Sequence, residues 1–274
     1  MKSKQSLRIL FGCLMALSVT SFAGCNEPEL SSAWKDREIA VDGKADDWEK
    51  VVAYIEKTNA AVGLLNDEHH LYVCLTTMDR ITATQIAASG FTVWLDPDGG
   101  KKKSFGIRFP LGLQESGKPT KIKESLRDPK KFRALFEDLG SEMEILGPGQ
   151  DQRVRTLRGA IEGIEVSAGY SEGRFVYELK LPLAQNTAQR YGIGTDPGKQ
   201  IGLGFETPEL DREAMVSQAK GQRGSGLGGR GGGGSGGGKG GMKSGGGKGG
   251  MRPGGAIPEA FELWAKVALS VQQD

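Results

Sequence analysis

The chain has 274 residues, with 36 Lys and Arg against 34 Asp and Glu, two His and three Cys. A hydrophobic content of 37% is enough to bury a core, while two histidines and scattered cysteines are thin material for a structural zinc centre. The net charge of +2 is unevenly spread: Lys2, Lys4 and Arg8 open the chain, seven basic residues and no acids lie between Lys220 and Gly255, and the remainder carries −8.

At the N-terminus, Lys2, Lys4 and Arg8 precede an apolar run from Ile9 to Ala23, short for a membrane span and right for a secretory signal. Residues 1–24 are therefore read as a signal peptide, and the protein as exported. Ser21-Phe22-Ala23-Gly24-Cys25 resembles a bacterial lipobox, which would make Cys25 the lipidated first residue of a membrane-anchored protein; ordinary cleavage after Ala23 is the alternative. Cys74 then stands alone in a strand pattern, a small hydrophobe with no disulfide partner.

Residues 25–36 are expected to be a tether, with one domain from 37 to 274. From Arg37 to about Pro208 the signal is short alternating runs: "REIAVD", "AVGLL", "HLYVCLTT", "EMEIL", "IEGIEVSAG", "GRFVYELKLPL" and "KQIGLGFE". In "GRFVYELKLPL", Phe175, Tyr177, Leu179 and Leu181 face one way and Arg174, Glu178 and Lys180 the other, as in an antiparallel sheet wet on one side. Many such strands predict an all-β fold with minor helices, an antiparallel β-sandwich of immunoglobulin or jelly-roll type. "RITATQIAAS" reads as a short helix. In "RDPKKFRALFEDLG", Asp128 caps, Pro129 opens and Phe132, Leu135, Phe136 and Leu139 form one apolar stripe.

Between two alternating runs, "GFTVWLDPDGGKKKSFGIRFP" carries Asp96, Pro97, Asp98, Gly99 and Gly100, residues that suit a turn. Asp96 and Asp98 also offer oxygens to Ca²⁺, but that ion takes six to eight ligands and only these two are evident locally, so the turn is preferred. "GYSEG" at 169–173 matches G-x-S-x-G, yet a strand follows it where a nucleophile elbow needs a helix, so it reads as a hairpin and no catalysis is expected. His69 and His70 are adjacent strand positions facing opposite ways, and are read as turn histidines.

Trp94 and Trp264 are each out of phase with the core residues of their own strands, Trp94 sharing a face with Thr92, Asp96 and Arg108, and Trp264 with Glu262 and Lys266. Indoles ringed by polar groups on a sheet suit a sugar, whose C–H face stacks on the ring while its hydroxyls seek charged groups. The alternatives are that a helix or loop covers them, or that Trp94 lies over Gly106 across the hairpin. Residues 221–256 are more than half glycine, with "GGGKGGMK" nearly repeated as "GGGKGGMR", and are read as a disordered insertion. Enlarging a loop from about 5 to about 50 residues costs only about 2 kcal/mol, so the following "AFELWAKVALSV" can rejoin the same sandwich. That tract is a solvated spacer or a polycation for an anionic envelope surface. RNA binding is not expected, because the tract lacks Phe and Tyr.

"IAVDGKADDWEKV", "AVGLLNDEHHLYVCLTT" and "GFTVWLDPDGGKKKSFGIRFP" resemble the family 9-like carbohydrate-binding modules of exported bacterial proteins, and "KQIGLGFE" and "LWAKVAL" look like their late strands. The resemblance spans most of residues 37–271 outside the glycine tract. It implies a β-sandwich, a non-catalytic protein that grips a terminal sugar between two aromatic rings, and structural calcium in some members. Trp94 falls in a matching stretch; Trp264 is the second aromatic on phase alone, and Trp48 looks like a packing residue. The expectation is thus a monomeric binder of polysaccharide or cell-envelope glycan, using Trp94, Asp96, Arg108 and Trp264 without a cofactor unless Ca²⁺ sits at Asp96 and Asp98. The competing expectation is an envelope structural or interaction protein whose sandwich is a scaffold and whose basic tract makes the contact.

Overall fold

The computed structural model describes residues 27–113, 128–137, 139–147, 152–187, 189–208 and 260–272. The expected signal peptide, Cys25 and the glycine tract lie outside the described residues. Among the described residues, thirteen strands and two α-helices follow in chain order: β1 (Glu29–Ser31), β2 (Ala33–Trp34), β3 (Val52–Ile55), β4 (Ala60–Asn66), β5 (His70–Thr77), α1 (Arg80–Ser89), β6 (Thr92–Asp96), β7 (Phe105–Arg108), α2 (Pro129–Glu137), β8 (Glu142–Leu146), β9 (Arg153–Leu157), β10 (Glu165–Ser171), β11 (Arg174–Pro182), β12 (Gln200–Glu206) and β13 (Glu262–Ala268). They form a sandwich of a seven-stranded sheet, β1-β13-β12-β6-β7-β8-β9, and a six-stranded sheet, β10-β11-β5-β4-β2, in which β3 also pairs with β4.

Alternation decides which side chains meet between the sheets. Val93, Leu95, Phe105, Ile107, Ile145, Leu203 and Phe205 from the larger sheet pack against Val73, Leu75, Phe175, Tyr177 and Leu179 from the smaller one. Phe91 and Tyr177 meet edge to face at 5.0 Å between centroids, a geometry that ring quadrupoles favour. Helix α2 buries Phe132 and Phe136, the stripe read from the sequence, and sets both rings against Tyr170 of β10. Asp128 accepts the Lys130 N–H at 2.9 Å as its N-terminal cap. Helix α1 begins at Asp79, whose carboxylate accepts the Ile81 and Thr82 N–H groups, and ends at Gly90 with φ of 92°.

Three expectations are corrected. The sheets are mixed: β1 pairs in parallel with β13 and β2 with β4, while the other pairs are antiparallel. Residues 29–34, expected within a tether, supply those two strands, because an edge strand of two or three residues has no alternation to read. "REIAVD" is not a strand. The Asp42 and Gly43 N–H groups donate to the Glu178 carboxylate, so this backbone crosses the outer face of the smaller sheet. There Ile39, Ala45, Trp48 and Val51 build a second apolar cluster with Leu65, Tyr72, Cys74 and Val176. Trp48 is the packing residue expected of it, 1% exposed.

The two ends of the fold are joined by one buried amide. Asn66, at the end of β4, accepts the Ser32 hydroxyl at 2.5 Å and the Ser270 N–H at 2.9 Å through its Oδ1, and donates through Nδ2 to the Ser270 carbonyl at 3.0 Å.

Candidate functional site

On the outer face of the larger sheet, register brings together a row that no single strand displays. Trp264 is opposite Gly204, Gly204 is opposite Trp94, and Trp94 is opposite Gly106. A Cβ on Gly106 would fall 2.6 to 3.2 Å from three atoms of the Trp94 six-membered ring, and one on Gly204 within 2.8 Å of three Trp264 ring atoms. Each indole therefore lies face-on over a glycine of the next strand. The expectation for Trp94 over Gly106 holds, and Trp264 repeats it. Both face away from the main core, as their phase requires, but Trp264 is only 8% exposed while Trp94 remains half-buried.

Both indole N–H groups are held by carboxylates. Trp94 Nε1 donates to Glu206 at 2.9 Å and Trp264 Nε1 to Glu262 at 3.2 Å. Glu206 and Glu262 are themselves cross-strand partners. Lys103 completes the Trp94 end, its ammonium 2.5 Å from Glu206 and 5.7 Å from the centre of the indole ring. The exposed part of Trp94 thus has an anion, a cation and an apolar ring within reach of one bound molecule. Glu206 and Lys103 were not found from sequence, since the pairing of β12 with β6 and the path of the lysine loop are set by tertiary structure; Glu262 was visible through its phase with Trp264.

The "DPDGGKKK" question is answered by Asp96. It is fully buried, one oxygen accepting the Asp98 N–H at 3.1 Å and the other the Lys102 N–H at 2.8 Å. These bonds fold the loop back onto the sheet, close enough that the Gly100 carbonyl would collide with any side chain at position 202. The three lysines then pair outward, Lys101 with Glu27 at 2.7 Å, Lys102 with Asp98 at 2.8 Å and Lys103 with Glu206. Asp96 organises the loop and cannot reach a ligand. Asp98 in turn holds the Lys102 ammonium, so both carboxylates offered for Ca²⁺ are engaged in the turn, and among the described residues no group of three or more His, Cys, Asp or Glu could hold a metal.

Arg108 also leaves the expected binding set. It is 8% exposed, with its guanidinium 3.4 Å from Glu144 and donating to the carbonyls of Ser89 and Leu111 at 3.3 and 3.1 Å. Its work is to fasten the end of α1 and the stretch after β7 to the sheet. Gly169 to Gly173 forms the β10–β11 hairpin, with Glu172 and Gly173 at φ of 53° and 80°. His69 is exposed, and His70 Nδ1 stands 3.6 Å from Asp67.

No protein-family model matches the chain, and a search of curated proteins finds no match. Among solved structures, a family 9 carbohydrate-binding module from Caldicellulosiruptor kristjanssonii in complex with glucose is similar, with 14% identity and a TM-score of 0.34 over 68% of this chain and 81% of that one. The same organism's family 9 module in complex with cellotriose shows 14% identity and a TM-score of 0.34, over 69% of this chain and 80% of that one.

Proposed function

We propose that the chain is a non-catalytic carbohydrate-binding module of an exported, lipid-anchored bacterial protein, with Trp94 as its stacking platform. The observation that carries this reading is the half-buried Trp94 indole, fixed face-on over Gly106, with Glu206 and Lys103 at its edge. A ring fixed by its own N–H bond and by the strand beneath it loses little freedom on binding, so stacking on a pyranose face is not offset by ordering cost. Glu206 and Lys103 supply an acceptor and a donor for the sugar hydroxyls. The anchoring and the envelope location rest on the N-terminal sequence, where an apolar run ends at Gly24-Cys25.

The test is binding of the full chain to immobilised polysaccharides and cell-wall fragments at low and high salt. Retention on one glycan class that persists in high salt and is lost in Trp94→Ala supports the reading, because stacking is insensitive to screening. A Trp94→Ala protein that is folded and binds unchanged removes Trp94 from the site. Retention that fades steeply with salt favours contact through the basic tract instead.

A further inference from the structure

We infer that the glycan site extends beyond Trp94 into a cleft at the end of the sandwich, so that the preferred ligand is an oligosaccharide of several rings. This rests on the sugar-binding reading above. The cleft, of about 310 Å³, is lined by Lys57, Thr58 and Asn59 after β3, by Ile81 and Thr82 of α1, and by Glu262 at the start of β13. Its size falls within the range of small-molecule sites. The lining mixes an ammonium, a hydroxyl, an amide and a carboxylate with apolar surface, which matches the alternation of hydroxyls and C–H faces along a sugar chain.

Three features on this end point to a ligand. Met78, Tyr54 and Ile81 are 67%, 63% and 56% exposed, among the most exposed large apolar side chains of the described residues, and exposed apolar groups around a polar cleft mark a binding surface. Tyr54 is pinned at the rim, its hydroxyl donating to Asn59 Oδ1 at 2.9 Å, so an exposed ring is held ready instead of swinging free. Lys57 has no carboxylate partner among the described residues, whereas the three lysines of the 101–103 loop are all paired.

Glu262 joins the cleft to the Trp94 platform. It lines the cleft, and its cross-strand partner Glu206 holds the Trp94 indole. Directly opposed side chains in a sheet have Cβ atoms about 5 Å apart, roughly the span of one sugar ring. A chain stacked on Trp94 that continues past Glu206 therefore reaches Glu262 and then Lys57.

The experiment is titration calorimetry of the full chain with gluco-, xylo-, manno- and chito-oligosaccharides of one to five rings, with Trp94→Ala, Lys57→Ala and Glu262→Gln alongside. The expected result is that affinity in the binding series rises by about tenfold or more from one ring to three, the size of one charge-assisted hydrogen bond. Lys57→Ala should remove that rise while leaving the single-ring affinity unchanged, Glu262→Gln should also remove the rise, and Trp94→Ala should lose both. Lys57 is exposed and unpaired among the described residues, so its variant keeps the fold if Glu262→Gln does not. Amide shifts at Asn59 and Ile81 appearing only with longer oligosaccharides give a second readout. Trp94-dependent binding that neither lengthens nor responds to Lys57 overturns this inference and leaves the sugar-binding reading standing; no binding by any series overturns both.

Discussion

The Glu178 carboxylate accepts the Trp48 indole N–H at 2.7 Å, from a position where neither residue is more than 1% exposed. The same carboxylate takes the Asp42 and Gly43 N–H groups at 2.9 and 2.6 Å, so one side chain of β11 holds the whole crossing segment on the smaller sheet. Trp48 in turn presses against Gly63, where a Cβ would sit 2.7 Å from its ring. Glu178→Gln replaces an acceptor by an amide that opposes at least one of these donors. It should cost about 2 to 4 kcal/mol, read as a lower urea midpoint with an unchanged slope. An unaltered midpoint would mean that apolar packing alone holds the segment.

Acid sensitivity should divide between two carboxylates of opposite sign. Burial pushes Asp79 up, but the Thr82 hydroxyl and the Ile81 and Thr82 N–H groups outweigh it and hold its pKa below the usual range. Its stabilisation is therefore present above the unfolded Asp value and is lost as pH falls through the lowered folded value. Burial raises Glu178, with the Trp48 and Gly43 bonds opposing only in part. Its stabilisation is full below the unfolded Glu value and lost as pH rises through the raised folded value. Urea midpoints between about pH 7 and pH 3 should fall less steeply in Asp79→Asn than in the parent, and more steeply in Glu178→Gln.

Gly106→Ala places a methyl group inside the Trp94 ring contact, and Gly204→Ala does the same beneath Trp264. Each should cost about 1 to 3 kcal/mol, the usual range for overpacking, unless the ring lifts away. The two outcomes separate by fluorescence. A lifted Trp94 in Gly106→Ala would be quenched more readily by acrylamide and would lose the proposed sugar binding together with its Glu206 bond.

Tyr177 lies in the middle of the core, and its buried hydroxyl has no hydrogen-bond partner among the described residues. Burial drives its pKa far up. Tyr177→Phe removes a desolvated polar atom and keeps the edge-to-face contact with Phe91, so the variant should be equal to or about 1 kcal/mol more stable than the parent. A clear loss of stability would reveal an internal water bonded to that oxygen.

The strands with a core phase were legible because burial on one side writes itself as period two, and this covers "HLYVCLTT", "GRFVYELKLPL", "KQIGLGFE" and "LWAKVAL". Strand β9, "RVRTL", was not recognised, for it is an edge strand whose residues are mostly exposed and need no alternation. Strand β3, "VAYI", escaped for the same reason. At the site, phase correctly turned Trp94 and Trp264 outward and grouped Asp96 and Arg108 with Trp94. It could not tell a polar residue that faces a ligand from one that faces its own backbone. Asp96 and Arg108 are of the second kind, because a folded-back loop and the end of α1 cover them. Glu206 and Lys103 reach Trp94 only through strand register and loop path, neither of which a single chain read in order displays.

The Asn66 seam also fixes when the molecule can become itself. Ser32 and Ser270 meet there across a separation of 238 residues, and β1 has β13 as its pairing partner in the larger sheet. Until β13 arrives, β12 keeps an open edge, β1 has nothing to lie beside, and the amide that fastens both sheets lacks the Ser270 groups. A chain emerging N-terminus first from a ribosome therefore leaves the larger sheet and the Asn66 seam incomplete until β13 and Ser270 have emerged. Contacts so distant in sequence place folding in the slow range of milliseconds to seconds.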